Sequence, residues 1–131
     1  MTEKISSEYL ENFIAKNKID LAPTQSKLCL PIIQRMCQKM LKGIKFDDIK
    51  IFDDLIIDGH HRYISSLLTD VQLTSVPTQK TSATQIFDWT NIEFDENDWD
   101  TESKIQYLNE QDAKFNNIDI KVLKQITSND K

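Results

Sequence analysis

The sequence predicts one α+β domain. Its 131 residues suit a single domain with a modest core, and segments of helical periodicity alternate with short segments that have the pattern of strands. The predicted order is helix, helix, hairpin, helix, strand and a mixed tail. Within the domain 1–131 we distinguish an N-terminal helix (1–22), a core (28–76), and a loop with an acidic C-terminal extension (77–131).

Two helices are predicted first. Residues 6–18 place apolar side chains at helical spacing, and a serine at position 6 or 7 can cap the helix. Residues 19–31 are interpreted as a connector. A second helix is predicted over 31–43, because Pro31 suits a first turn and Gly43 suits the end.

A hairpin, a helix and a strand follow. Residues 45–59 contain two apolar segments separated by Asp53-Asp54, which is typical of a turn between two short strands. Residues 60–70 have a helical core stripe, and 71–79 alternate like a strand. In the mixed tail, 102–115 is weakly helical, and the residue at position 100 or 101 can cap it.

Charge and composition exclude some functions. The net charge is −5 with a pI near 5.0, so long-range electrostatics oppose polyanions, and general DNA binding is not expected. No apolar run approaches the roughly 20 residues of a membrane helix, and the N-terminus does not resemble a signal peptide. We therefore expect a cytoplasmic protein without a membrane partner.

Rare residue types collect in DGHHRY, residues 58–63. This stretch contains both histidines, one of two glycines, and Arg62, one of only two arginines against fourteen lysines. A buried strand is predicted to turn at Gly59 and to open a helix at position 60 or 61. The first turn of a helix has unpaired N–H groups and a partial positive charge, so it binds phosphate or carboxylate.

The residue types fit such an anion site. Gly59 allows close approach of the backbone, Arg62 offers a planar fork for two oxygens, and His61 can donate a hydrogen bond and carry part of a charge near neutral pH. Structural alternatives stay open: His60 as a packed, hydrogen-bonded side chain, Asp58 as the N-cap, and Arg62 as a partner for acids.

A family resemblance bears on this site. Residues 31–68, PIIQRMCQKMLKGIKFDDIKIFDDLIIDGHHRYISSLL, resemble the core of ParB-like nuclease domains in the ParB/sulfiredoxin superfamily. The family's D-G-x-H-R box is matched by Asp58, Gly59, His61 and Arg62. Residues 41–53 stand where the family has G-x-x-x-x-P-I-x-V, with Asp48 in place of the proline. The resemblance implies a small mixed sheet flanked by helices.

The resemblance also implies a phosphate site formed by Gly59, His60, His61 and Arg62. In sulfiredoxin the related box holds the phosphates of ATP, and in ParB it helps to hold CTP. A nucleoside triphosphate with Mg²⁺ is therefore the expected ligand, and members described as nucleases, NTPases or kinases, some carried by bacterial toxins, suggest the chemistry. Position 60 is His and not Cys, so reductase chemistry is not expected.

Two functional hypotheses follow. In the first, the protein is a phosphohydrolase, nuclease or NTPase in which Arg62 grips phosphate, His61 acts as general acid or base, and Asp58 or an acid of residues 95–100 holds a cation; the metal ligands are otherwise unknown. In the second, it is a non-catalytic regulator of the toxin–antitoxin type. Its partner surface would then be Asp95, Glu96, Asp98 and Asp100 around Trp99.

Overall fold

The computed structural model describes residues 4–128. This part of the chain contains five helices and five short strands. The helices are α1 (Ser7–Lys16), α2 (Leu30–Leu41), α3 (His60–Thr69), α4 (Glu102–Asn116) and α5 (Ile120–Thr127). The strands are β1 (Lys27–Cys29), β2 (Ile49–Phe52), β3 (Leu55–Asp58), β4 (Ser75–Pro77) and β5 (Glu93–Asp95), with a 3₁₀ turn at Trp89–Asn91. The predicted α+β class and single domain are confirmed.

The strands form two small sheets. In the larger sheet, β2 lies between β3, to which it is antiparallel, and β4, to which it is parallel. The predicted hairpin turn is present, and Asp53 adopts a left-handed conformation with φ of 50°. The smaller sheet pairs β1 with β5 in parallel, with Leu28 opposite Phe94. A mixed sheet was expected, but a second sheet was not.

Several helices begin at or near the capping residues that the sequence predicts. The Ser6 hydroxyl accepts from the N–H of Tyr9 at the start of α1, and the Thr101 hydroxyl accepts from the N–H of Lys104 at the start of α4. Pro31 lies in the first turn of α2, where its missing N–H costs nothing. These contacts confirm the boundaries that capping residues suggested.

Two elements were not predicted. Strand β1 lies within the expected connector; three residues are too few to show a period, and their partner strand is far along the chain. Helix α5 lies within the expected mixed tail, where Ile118, Ile120 and Val122 give an alternating pattern that hides the helix. Its start is fixed by Asp119, whose carboxylate accepts from the N–H of Lys121.

The core joins the regions that the sequence analysis separated. Leu10, Leu28, Ile33, Ile56 and Ile64 are fully buried in one cluster that also contains Trp89, Ile92 and Phe94 from the C-terminal region. The pairing of β1 with β5 likewise links the core to that region. The segment after position 77 is thus part of the same folded unit.

Helix α5 packs on both α2 and α4, beside a second cluster of Ile44, Ala113 and Leu123. Lys39, only 5% exposed, forms an ion pair at 2.6 Å with Asp112 and so links α2 to α4. Helix α4, with 15 residues, is the longest helix. Across residues 4–128, every helix is too short or too polar to traverse a lipid bilayer.

Candidate functional site

The DGHHR turn, residues 58–62, joins β3 to α3. Gly59 is the N-cap of α3 with φ of 104° and ψ of 31°, and no side chain caps the first turn. The predicted sequence of strand, glycine and helix is therefore present. Asp58 is not the N-cap, in contrast to one of our alternatives, because its residue still belongs to β3 and its side chain is 63% exposed beside Arg62.

Position 59 requires glycine for two reasons. Its positive φ is rarely adopted by other residues, and a Cβ placed there would lie 2.6 Å from Cγ2 of Ile49 and 3.0 Å from Nη2 of Arg62. A Cβ at position 59 would therefore overlap Ile49 unless the backbone moved. Gly59 thus allows β2 and the guanidinium of Arg62 to approach the turn closely.

His60 points into the protein. It is 4% exposed, and its Nε2 accepts a hydrogen bond of 2.9 Å from the N–H of Thr24. The hydroxyl of Thr24 in turn donates to the carbonyl oxygen of Ile56 at 2.7 Å. These bonds hold the connector before β1 against β3 and α3. His60 is therefore a packed, hydrogen-bonded side chain, one of the alternatives that the sequence leaves open.

His61 also bonds to the backbone. Its Nε2 accepts from the N–H of Cys29 at 2.9 Å, and its ring lies edge-on to Trp99, with centroids 5.5 Å apart and planes at 84°. The ring therefore lies between the end of β1 and the acidic loop, residues 95–100. Sequence reasoning placed His61 at an anion site, and the structure places it at an internal junction.

Both imidazoles are neutral at pH 7. A backbone N–H can only donate, so Nε2 of each ring carries no proton and Nδ1 carries it. Burial lowers the pKa of His60 to about 4. Burial also lowers the pKa of His61 to about 4, and the neighbouring His60 adds to the shift. The partial positive charge expected on His61 is therefore corrected to none.

Arg62 lies across the N-terminus of α3. Its Nη1 donates to the carbonyl oxygens of Asp47 at 3.3 Å and Asp48 at 3.2 Å, and its Nη2 is 3.6 Å from Oδ2 of Asp58. The side chain is 18% exposed, and Nη2 stands directly over Gly59. The cation that we predicted to bind phosphate is thus at the helix end, with an exposed carboxylate as its charged neighbour.

The first turn of α3 directs three successive side chains to three segments. Consecutive helix positions are separated by about 100° around the axis, so His60 reaches Thr24, His61 reaches Cys29, and Arg62 reaches the loop before β2. The structure brings Asp58, Gly59 and Arg62 together. It does not bring the two imidazoles to the same surface.

The acidic loop is ordered by its own contacts. Nε1 of Trp99 donates to Asp95 at 2.9 Å. Arg35 binds both carboxylate oxygens of Asp98, at 2.6 and 3.0 Å, and also reaches Asp100 at 3.0 Å. The hydrogen bond from Arg35 lowers the pKa of Asp98.

Arg35 is the important residue that sequence reasoning missed. Its side chain is 15% exposed and connects α2 to the acidic loop. One signal could have identified it: an arginine in a chain whose other cations are almost all lysines indicates a need for a bidentate fork. The backbone partners of the histidines leave no such signal.

The sequence alone does not identify a set of metal ligands. Along the described part of the chain, no group of three or more His, Cys, Asp or Glu side chains stands together as a metal site. Asp58 is an exposed carboxylate beside the helix end, 3.6 Å from Nη2 of Arg62. Comparison of the chain with protein-family models, curated proteins and solved structures gives no match. The resemblance to ParB-like domains thus rests on the motif.

We predict that Gly59→Ala destabilises the protein by about 3 kcal/mol, because a strained φ and an overlap with Ile49 act together. Gly43→Ala is the matched control: Gly43 has φ of 85° with open space around it, so strain alone should cost about 1 kcal/mol. Urea unfolding of the two variants measures the difference. Equal losses would contradict the close packing of β2 on the turn.

We also predict that acid destabilises the fold through the histidines. Their pKa values are about 4 in the folded protein and ordinary in the unfolded chain, so only the unfolded chain takes up protons between pH 6.5 and 4. Above pH 6.5 the histidines therefore do not reduce the free energy of unfolding. It falls as the pH drops through this window, by at most about 3 kcal/mol for each ring.

Urea unfolding at several pH values across this window tests the prediction. His61→Gln is the matched variant, because an amide oxygen can accept from Cys29 but does not titrate. We expect it to lose about half of the pH dependence that the histidines cause. An NMR titration in which both rings show ordinary pKa values would disprove the assignment.

Proposed function

We propose that the DGHHR turn binds the phosphate group of a nucleotide or of a phosphorylated small molecule, in a fold of the ParB/sulfiredoxin type. One observation carries the proposal: the guanidinium of Arg62 is held over Gly59, at a helix N-terminus that no side chain caps. Free N–H groups and a fork-shaped cation are the two donors that phosphate oxygens prefer.

Asp58 has a specific part in this proposal. Its carboxylate lies 3.6 Å from Nη2 of Arg62 and is largely exposed, so it provides the negative charge that faces the guanidinium. An incoming phosphate would compete with it for Arg62. With Mg²⁺ present, the same carboxylate could instead bind the cation on the phosphate, since Mg²⁺ commonly takes one or two carboxylates together with phosphate oxygens.

The histidines support binding more than catalysis. Each uses its Nε2 to fix a backbone segment, which makes them positioning residues for the first turn of α3. A neutral His61 with a pKa of about 4 is a weak base near pH 7. The proposal is therefore phosphate binding, and hydrolysis by a phosphohydrolase, nuclease or NTPase activity stays a prediction.

Calorimetric titration with ATP, CTP and inorganic phosphate, each with and without Mg²⁺, tests the proposal. Arg62→Ala should weaken binding at least ~10-fold, because a charged hydrogen bond contributes about 1.5–3 kcal/mol. Arg62→Lys should retain part of the affinity. Lys121→Ala, which removes an exposed cation from α5, is the control and should bind like the original chain.

Asp58→Asn separates the two roles of the carboxylate. If Asp58 competes with phosphate, this variant should bind Mg²⁺-free phosphate several-fold more tightly, since the repulsion is removed. If Asp58 holds Mg²⁺, the variant should lose the enhancement that Mg²⁺ gives. Absence of binding by all these ligands to the original chain would remove the proposal.

We propose a second candidate function, a regulator that binds a basic protein segment through the acidic loop. The observation in its favour is Trp99, 42% exposed on a loop that Arg35 holds in place, since ordered aromatic anchors dominate many interfaces. Asp98 and Asp100 are bound by Arg35, whereas Glu96 is exposed and forms no ion pair within residues 4–128.

Titration with a peptide rich in Lys and Arg tests this second function by fluorescence. Trp99 should respond, whereas Trp89 is 7% exposed and should not, so Trp99→Leu should abolish the signal. Glu96→Gln should weaken binding by a few-fold, because it removes one exposed charge. A peptide rich in Glu is the control. An unchanged signal in Trp99→Leu would exclude this surface.

A further inference from the structure

Helix α4 carries apolar side chains on two opposite faces. One face packs on the protein through Asn109 and Ala113. The opposite face exposes Tyr107 at 52% and Phe115 at 57%. A surface helix usually has a single apolar face, and that face is buried. The exposed rings on the second face therefore depart from this pattern, although the ammonium of Lys104 lies 5.8 Å from the centroid of the Tyr107 ring.

These exposed residues form one continuous row. Together with Lys104 and Gln111 they follow one another three or four residues apart, which aligns the side chains on a single helix face. The row, here called the α4 stripe, spans roughly 17 Å, and all its members are exposed: Lys104, Tyr107, Gln111 and Phe115.

The two aromatic rings of the α4 stripe are symmetric about Gln111. Tyr107 and Phe115 lie four residues from Gln111 on either side. A second α4 helix running in the opposite direction would therefore place its Phe115 against Tyr107. We propose that a second copy of this chain docks here, with two antiparallel α4 helices related by a twofold axis at Gln111.

The charges beside the stripe fit this arrangement. Glu110 and Lys114 both lie along the same edge of the stripe. Along the helix, Glu110 comes before the proposed twofold axis at Gln111, and Lys114 comes after it. Reversal of the second helix brings Glu110 of one copy next to Lys114 of the other, twice in the dimer. Unlike charges thus meet where the helices cross.

The surface beside the stripe is concave. An open groove of about 440 Å³ is lined by Asp47, Gln111, Asp112, Lys114 and Phe115. A second groove of about 350 Å³ lies on the other side of Lys114, between the end of α4 and the start of α5. Side chains of a facing helix need such recesses in order to interdigitate.

The exposed area indicates a weak dimer. Aromatic side chains carry roughly 150–250 Å² each, so the two half-exposed rings contribute on the order of 200 Å² per copy. A standard interface buries about 800 Å² per partner. The net charge of −5 on each copy also opposes association at low salt. We therefore expect dimers at high micromolar concentration, favoured by moderate salt that screens this repulsion.

Sedimentation equilibrium over a range of concentrations and salt tests the inference. The full chain should shift from monomer to dimer, and Phe115→Glu should stay monomeric. Tyr9→Glu is the matched control, because Tyr9 is also an exposed aromatic, on α1, and this variant should still dimerise. A chain that is monomeric throughout, or a dimer that Phe115→Glu leaves intact, overturns the inference.

Two further variants test the geometry directly. Gln111→Cys lies on the proposed axis, so mild oxidation should give a disulfide-linked dimer quickly; the native Cys29 and Cys37 are buried and do not compete. Lys16→Cys on α1 should cross-link slowly. Glu110→Lys and Lys114→Glu should each weaken the dimer, and the double variant should restore it. Failure of restoration together with slow cross-linking at position 111 overturns the antiparallel arrangement.

Discussion

Two hydrogen bonds from the backbone to histidine rings hold this fold together at its centre. The N–H group of Thr24 lies before β1 and that of Cys29 lies at its last residue, and each donates to an Nε2 atom at the start of α3. A buried N–H group without a partner costs about 1–3 kcal/mol. The path of the chain into β1 and α2 therefore depends on two neutral rings that act as acceptors.

This constraint explains why rare residue types collect in one short stretch. The first turn of α3 must contact three chain segments, and side chains of different reach and chemistry meet that need: two imidazoles accept from N–H groups, and a guanidinium donates to carbonyl oxygens. Gly59 allows the turn to come close to β2. An anion that binds at this helix end would meet donors already held in place by the surrounding chain.

The limits of prediction from sequence follow from which groups interact. Periodicity and capping residues identified α1, α2, α3 and the β2–β3 hairpin, because those signals are local. The partners of His60 and His61 are backbone groups, which every residue has, so no residue type marks them. Arg35 and its acids are also distant in sequence. The motif therefore located the DGHHR turn but could not reveal which of its side chains face inward.

The parallel pairing of β1 with β5 has a consequence for biosynthesis. Residues 27–29 emerge from the ribosome long before 93–95, and they lack their partner strand until then. A nascent chain that ends before β5 leaves Leu28 without the cover of Phe94. Contacts between distant segments also slow folding. The domain should therefore reach its native state only after most of the chain has been translated, with chaperones able to bind the exposed apolar surface meanwhile.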